Sequence, residues 1–176
     1  MNTVIANIIS FIGEVVLAIS PLGKTKKQIL TLQIVDCTLN ALACLLVGSV
    51  TGVITNTACI VRNYLGASGK DTQKNITALC IIMAVSSIIS VVVVKQFTLI
   101  ALLPTIATVR YTVYSYKAKE AQSVRKALAV SLILWFIHDI WFMLITSAVM
   151  DIIGIATAVF SMRREKINDS VRSNSR

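Results

Sequence analysis

The sequence predicts an all-α integral membrane fold of about seven transmembrane helices, and three observations predict it. The 176-residue chain is 56% hydrophobic and 14% charged, with a mean hydropathy of +0.78, which is too apolar for an ordinary soluble domain. Its apolar residues gather into long runs, and a lipid interior offers backbone groups no partners, so those runs must be helices. Between them lie short basic clusters that fall on alternate loops.

Taken in order, the first run, Val4 to Ser20, crosses once. Its start lacks Lys and Arg, and Pro21 follows the small-residue site Ala18-Ile19-Ser20, so it reads as a membrane helix and not a signal peptide. The run Ile29 to Leu65 would exceed about 50 Å as one helix, against about 30 Å of hydrocarbon, so it folds into a hairpin. Gly48-Ser49, with Gly52 close by, is the natural break, and the third span starts near Thr51. Ile76 to Val94 forms the fourth span and Phe97 to Tyr116 the fifth. The run Ala127 to Met162 is again too long for one crossing and breaks around Thr146-Ser147, with a short seventh span from about Ala148. The resulting division is 1–65 for a first triple-helix bundle, 66–95 for a loop and linker helix, 96–162 for a second triple-helix bundle, and 163–176 for a basic cytoplasmic tail.

Loop charge tests the count, because cytoplasmic loops near span ends collect Lys and Arg. Lys24, Lys26 and Lys27, then Arg62, Lys70 and Lys74, then Arg110, Lys117, Lys119, Arg125 and Lys126, and finally Arg163, Arg164, Lys166, Arg172 and Arg176 all fall on one side. The other side has Lys95 alone. This places the N-terminus outside and the C-terminus in the cytoplasm. The formal charge of +9 therefore belongs to membrane topology; no basic patch interleaved with aromatics points to nucleic acid. Cys37, Cys44, Cys59 and Cys80 lie inside apolar runs without metal-ligand spacing, so they read as small hydrophobes, and neither a metal nor a cofactor is expected.

A shift of 99 residues lays Lys26-Lys27 on Arg125-Lys126, Gly48 on Ser147 and Asn40 on Asp139. Identity is poor, but the pattern of basic loop, helix, uncharged turn and helix repeats. It suggests two pseudo-repeated triple-helix bundles joined by a linker helix, as in many transporters. Polar residues inside the spans form stripes: Asn7, Ser10 and Glu14 on helix 1; Gln33, Asp36 and Asn40 on helix 2; Thr55, Asn56 and Cys59 on helix 3; Thr105, Thr108 and Thr112 behind Pro104 on helix 5; Trp135, His138, Asp139 and Phe142 on helix 6; Asp151 and Gly154 on helix 7. Ionisable groups at membrane depth normally face a bundle interior or a cavity. Helix 4 carries only small hydroxyls, Ser86, Ser87 and Ser90, and reads as a linker largely facing lipid.

The segments Leu102-Leu103-Pro104-Thr105-Ile106-Ala107-Thr108 and Trp135-Phe136-Ile137-His138-Asp139-Ile140-Trp141 resemble the Leu-Pro-rich fifth helix and the Trp-x-Ile-His-Asn/Asp-x-Trp signature of the YgjV-like family of bacterial inner-membrane proteins. Thr51-Gly52, Asn56 and Arg62-Asn63 follow that family's pattern in the first half. The resemblance implies a multi-pass protein of the bacterial inner membrane and supplies no activity. The three-one-three helix plan is similar, more remotely, to SWEET sugar transporters and nicotinamide-riboside-type vitamin transporters. That likeness is one of fold alone.

The residues expected to line a solute path are Glu14, Asp36, Asn40, Asn56, Trp135, His138 and Asp139, with Pro104 as a candidate hinge. His138 and Asp139, about 100° apart on a helix, are not expected to face each other. Against the path reading stands a bland one in which these side chains merely bond neighbouring helices. Asp151 reads as a carboxylate capping the first turn of helix 7, Arg62 and Arg110 as headgroup-seeking side chains, and Tyr111, Tyr114 and Tyr116 as interfacial anchors. Two functions stay open: a small-solute transporter or facilitator, and a non-transporting protein that binds a partner or lipid around a dry centre. The expected partners are the bilayer and a small polar solute, with a homo-oligomer left open. No catalytic residue is expected, since no HExxH, nucleophile motif or paired catalytic carboxylate occurs.

Overall fold

Polar side chains at the span borders start several helices and left-handed residues stop them. The computed structural model describes residues 2–95 and 98–174; the expected fifth-span start at Phe97 and the final tail residue Arg176 lie outside them. Among the described residues there are seven α-helices, α1 (Asn2–Ile19), α2 (Lys26–Leu46), α3 (Val50–Ser68), α4 (Gln73–Val94), α5 (Leu103–Lys117), α6 (Ala121–Trp141) and α7 (Ile145–Asn174). Thr25 and Thr72 cap α2 and α4 by accepting from the N–H groups of Gln28 and Asn75 at 3.2 and 3.3 Å. Among the described residues four helical stretches, residues 3–22, 26–46, 73–93 and 145–167, are by themselves long and apolar enough to cross a membrane. The other three helices are shorter or more polar: α5 has 15 residues, and α3 and α6 carry Arg62 and Asp139.

The two hairpin turns are built alike. Gly48 closes the first at φ 73°, with Ser49 N–H donating to Cys44 C=O at 2.9 Å; Met143 closes the second at φ 58°, with Leu144 N–H donating to Asp139 C=O at 2.8 Å. These are six-to-one bonds around a left-handed residue, the Schellman way of ending a helix. The second break therefore falls at Phe142–Leu144 and not at Thr146-Ser147. The residues that precede the helices, Thr25 and Glu120, the turn residues Gly48 and Met143, and the helix starts Val50 and Ile145 are each 95 residues apart (143 − 48), where the overlay of the sequence used 99. At that spacing Asn40 falls on Trp135, Cys44 on Asp139 and Asn56 on Asp151.

Two further boundaries differ from expectation. Because α7 begins at Ile145, Asp151 lies in its second turn, beyond the reach of a first-turn cap. The helix also runs past Met162 through the expected tail, to Asn174; residues 155–174 hold no Gly or Pro to stop it, and its bonds are satisfied internally. Pro104 is the second residue of α5, behind a 3-10 turn at Ile100–Leu102, a place where its missing N–H breaks no helical bond.

Each helix packs on its sequence neighbours, and α7 returns to pack on α1, closing the ring. Across the middle α2 touches α6 and α3 touches α5. A Cβ on Gly154 would stand 2.7 Å from Leu132 Cδ1 of α6 and, at the α1–α7 seam, in ordinary contact with Ala18 Cα at 3.6 Å. Thr157 Oγ1 donates to Ala18 C=O on the same seam. The outward surface is apolar, as lipid requires: Ile81, Ile82, Val85, Ile88, Ile89 and Val92 are exposed on α4, while Met83 and Ser86 face inward.

The end of the bundle with the basic loops is filled and tied. Ile29, Leu30, Val124 and Leu128 are buried together there. Above them Arg125, 4% exposed, donates to Pro21 C=O at 2.9 Å and Gly23 C=O at 2.7 Å and pairs with Glu165. Lys26 Nζ donates to Ala118 C=O at 2.9 Å and stands 3.7 Å from Asp71, and Gln122 donates to Met162 C=O at 3.1 Å. These bonds join the loops and helix ends of both halves of the chain.

Candidate functional site

Above this plug, toward the uncharged turns, the helices part around a cavity of about 370 Å³. Its lining comes from α1, α2, α3, α5, α6, α7 and the turn at Leu144, and α4 supplies none of it. Glu14, Asp36, Asn40, Asn56, Trp135, His138 and Asp139 all line this one cavity. Pro104 does not.

The side chains are arranged in two groups. On the first-half wall, Asn40 Nδ2 donates to Asp36 Oδ1 at 2.7 Å and Asn40 Oδ1 accepts from Ser10 Oγ at 2.6 Å, which ties α1 to α2. The four-residue spacing makes the Asn40–Asp36 contact possible. Asn56 turns back on its own helix, donating to Gly52 C=O at 2.9 Å. Thr55 is drawn away toward α4 by a 2.8 Å bond with Ser86. On the opposite wall His138 Nδ1 lies 2.7 Å from Asp139 Oδ1, and the imidazole is flanked by Trp135, edge-on at 5.9 Å, and Phe142 at 4.7 Å. The backbone step of about 100° between adjacent helical positions does not keep these two apart, because χ rotation swings the long side chains together. Glu14 accepts from Ser147 Oγ at 2.9 Å, across the α1–α7 seam.

Arg62 and Tyr111 correct the interfacial reading. Arg62 is 6% exposed and lines the cavity. Its guanidinium donates to Asn63 Oδ1 at 3.0 Å and Thr112 Oγ1 at 3.2 Å and lies 4.8 Å over the Tyr111 ring. Tyr111 is buried, with its hydroxyl donating to Gln33 Oε1 at 2.8 Å. Arg62 sits six residues before the end of α3, about 9 Å of helix, too deep to reach headgroups. Tyr114 is exposed, with Arg110 over its ring at 4.8 Å.

Gln33, Ser147 and Asp151 also line the cavity. Gln33 and Asp151 belong to stripes visible in the sequence, whereas the role of Ser147 depended on the turn at Met143. Two polar atoms here, Gln33 Nε2 and Asp151 Oδ2, are buried without a hydrogen-bond partner. The four cysteines are free, and no cluster of three or more metal-ligating side chains occurs among the described residues.

A closed ring of helices, apolar outside and polar within, defines a multi-pass α-helical membrane protein. Residues 4–168 match the Imp-YgjV model, described as a bacterial inner membrane protein, and the chain belongs to that family. Comparison with curated proteins and with solved structures gives no match.

Proposed function

We propose that this chain is a small-solute transporter or facilitator of the bacterial inner membrane, with its solute site in the cavity between helices α1–α3 and α5–α7 and with α4 as the linker. The observation that carries the reading is convergence: polar side chains from six helices meet on one cavity, to which α4 contributes nothing. Side chains serving only to hold helices together would fill the centre, and a dry centre is what a non-transporting protein predicts. Polar groups are costly at membrane depth, and a solute that bonds them offsets that cost.

The N-terminus lies outside and the C-terminus in the cytoplasm, on the strength of fifteen basic residues against one once the buried Arg62 is set aside. The cavity then faces outward, and the plug at Ile29, Leu30 and Val124 with its Arg125 and Lys26 ties is the cytoplasmic closure. Transport requires that closure to open as the outer side narrows. No covalent step is part of this reading.

Uptake into proteoliposomes by the full chain, across sugars, vitamins, nucleosides and amines, tests it. Saturable uptake lost in Asp139→Asn and reduced in Asn56→Ala is the expected result. Absence of uptake across the panel by folded protein, or uptake indifferent to both substitutions, overturns it.

A further inference from the structure

The charges in the cavity are unevenly answered. Asp139 has His138, and Asp36 has Asn40 and shares the deep end with the Arg62 guanidinium. Among the described residues no basic side chain is paired with Glu14 or Asp151. Glu14 has one neutral donor, Ser147 Oγ. Asp151, 9% exposed, leaves Oδ2 buried and unbonded, and the charges acting on it, those of Asp139 and Glu14, share its sign. Ser147 and Asp151 are four residues apart on α7 and so lie on one stripe, which sets the Asp151 carboxyl one turn from the hydroxyl that Glu14 accepts from. Two carboxyls on facing helices therefore border one cavity without a counter-charge, and a carboxylate in a medium of low dielectric needs one.

The surroundings select among cations. The cavity, at about 370 Å³, is several times larger than one water's share of liquid, about 30 Å³, so an inorganic ion alone would leave it largely empty. The same cavity is also lined by apolar and aromatic side chains, Leu17, Leu132, Leu144, Met150 and Trp135. An aromatic face that shares a cavity with carboxylates is the chemistry that recognises an organic ammonium group. We infer that the solute is an organic cation whose charged nitrogen is held by Glu14 and Asp151 and whose body lies against Trp135. This rests on the transport reading and names its substrate class.

The two tryptophans provide the test. Trp141 is 62% exposed on the outer surface, so Trp141→Phe leaves Trp135 as the sole tryptophan reporting from the cavity. In that background, with the full chain in lipid nanodiscs, phenyltrimethylammonium and choline should change the fluorescence saturably. Sodium chloride and sodium benzoate at equal ionic strength should not. Glu14→Gln and Asp151→Asn should each weaken the response to the cations by roughly tenfold or more, the effect of removing one charge-assisted bond. Neither substitution should lower the thermal stability of the ligand-free protein, since each removes a charge without a counter-charge; a fall in stability would assign the carboxyls a structural role and overturn the inference. A response to benzoate or to neutral sugars but not to the ammonium probes overturns it while leaving transport standing. An equal response to sodium alone overturns it in favour of an inorganic ion site, and silence to every probe overturns it while the uptake panel decides the transport reading.

Discussion

Replacing Arg125 with methionine keeps most of the apolar stem and removes the guanidinium from the plug at the basic end of the bundle. Two of its bonds go to backbone carbonyls, Pro21 at 2.9 Å and Gly23 at 2.7 Å. A hydrogen bond from a charged donor contributes about 1.5–3 kcal/mol, and the low end applies because the carbonyls of a loop can turn toward water. The pair with Glu165 adds little, since the Glu165 side chain is 38% exposed and exposed pairs contribute about 0–1 kcal/mol. Arg125→Met should therefore cost about 3 kcal/mol, and Glu165→Gln less than about 1 kcal/mol. If, as the transport proposal requires, these bonds exist only while the basic end is closed, the same 3 kcal/mol shifts the closed-to-open ratio by roughly a hundredfold. Denaturant titration in micelles measures the first quantity. Labelling of Cys37, which lines the cavity, by an impermeant maleimide from the C-terminal side measures the second. Equal losses for the two substitutions, or a loss below about 1 kcal/mol for Arg125→Met, would refute the view that the carbonyl bonds carry the closure.

Met143→Gly should raise stability by about 0.5–1 kcal/mol in thermal denaturation, because Met143 is an exposed non-glycine residue at φ 58° and the left-handed region costs about 1–2 kcal/mol there. Arg62→Lys should lower stability by about 1–2 kcal/mol although it keeps the charge, since an ammonium cannot fork to Asn63 and Thr112 while stacking on Tyr111. A lysine variant as stable as the parent would return Arg62 to a merely electrostatic role.

The helices were legible because their runs are long and their boundaries chemical. Gly48 advertised the first turn, and α2 and α4 begin at polar Thr caps. The second turn has the same geometry but is made by methionine, so the break was displaced by several residues, and the placement of Asp151 went astray with it. The seven expected path residues share a cavity because stripes of polar residues at helical spacing survive errors in helix ends. Arg62 and Tyr111 were misread for the opposite reason. Each lies near a run's boundary in sequence, and only the continuation of α3 to Ser68 and the packing of α5 against α6 reveal that both are buried. Contacts made by side-chain rotation, such as His138 with Asp139, are not encoded in helical periodicity.

The seam between the first and last helices also sets an order on biosynthesis. Glu14 and the Ser147 hydroxyl that it accepts from are 133 residues apart in the chain. At about 5–20 residues per second of synthesis, roughly 7–27 s pass between their appearances. Throughout that interval α1 is in the membrane with a carboxyl whose hydrogen-bond donor has not yet been translated, moored only to α2 through Ser10 and Asn40. Helix α7 closes the ring on α1, and a nascent chain stopped before it would present Glu14 on an open flank without that donor.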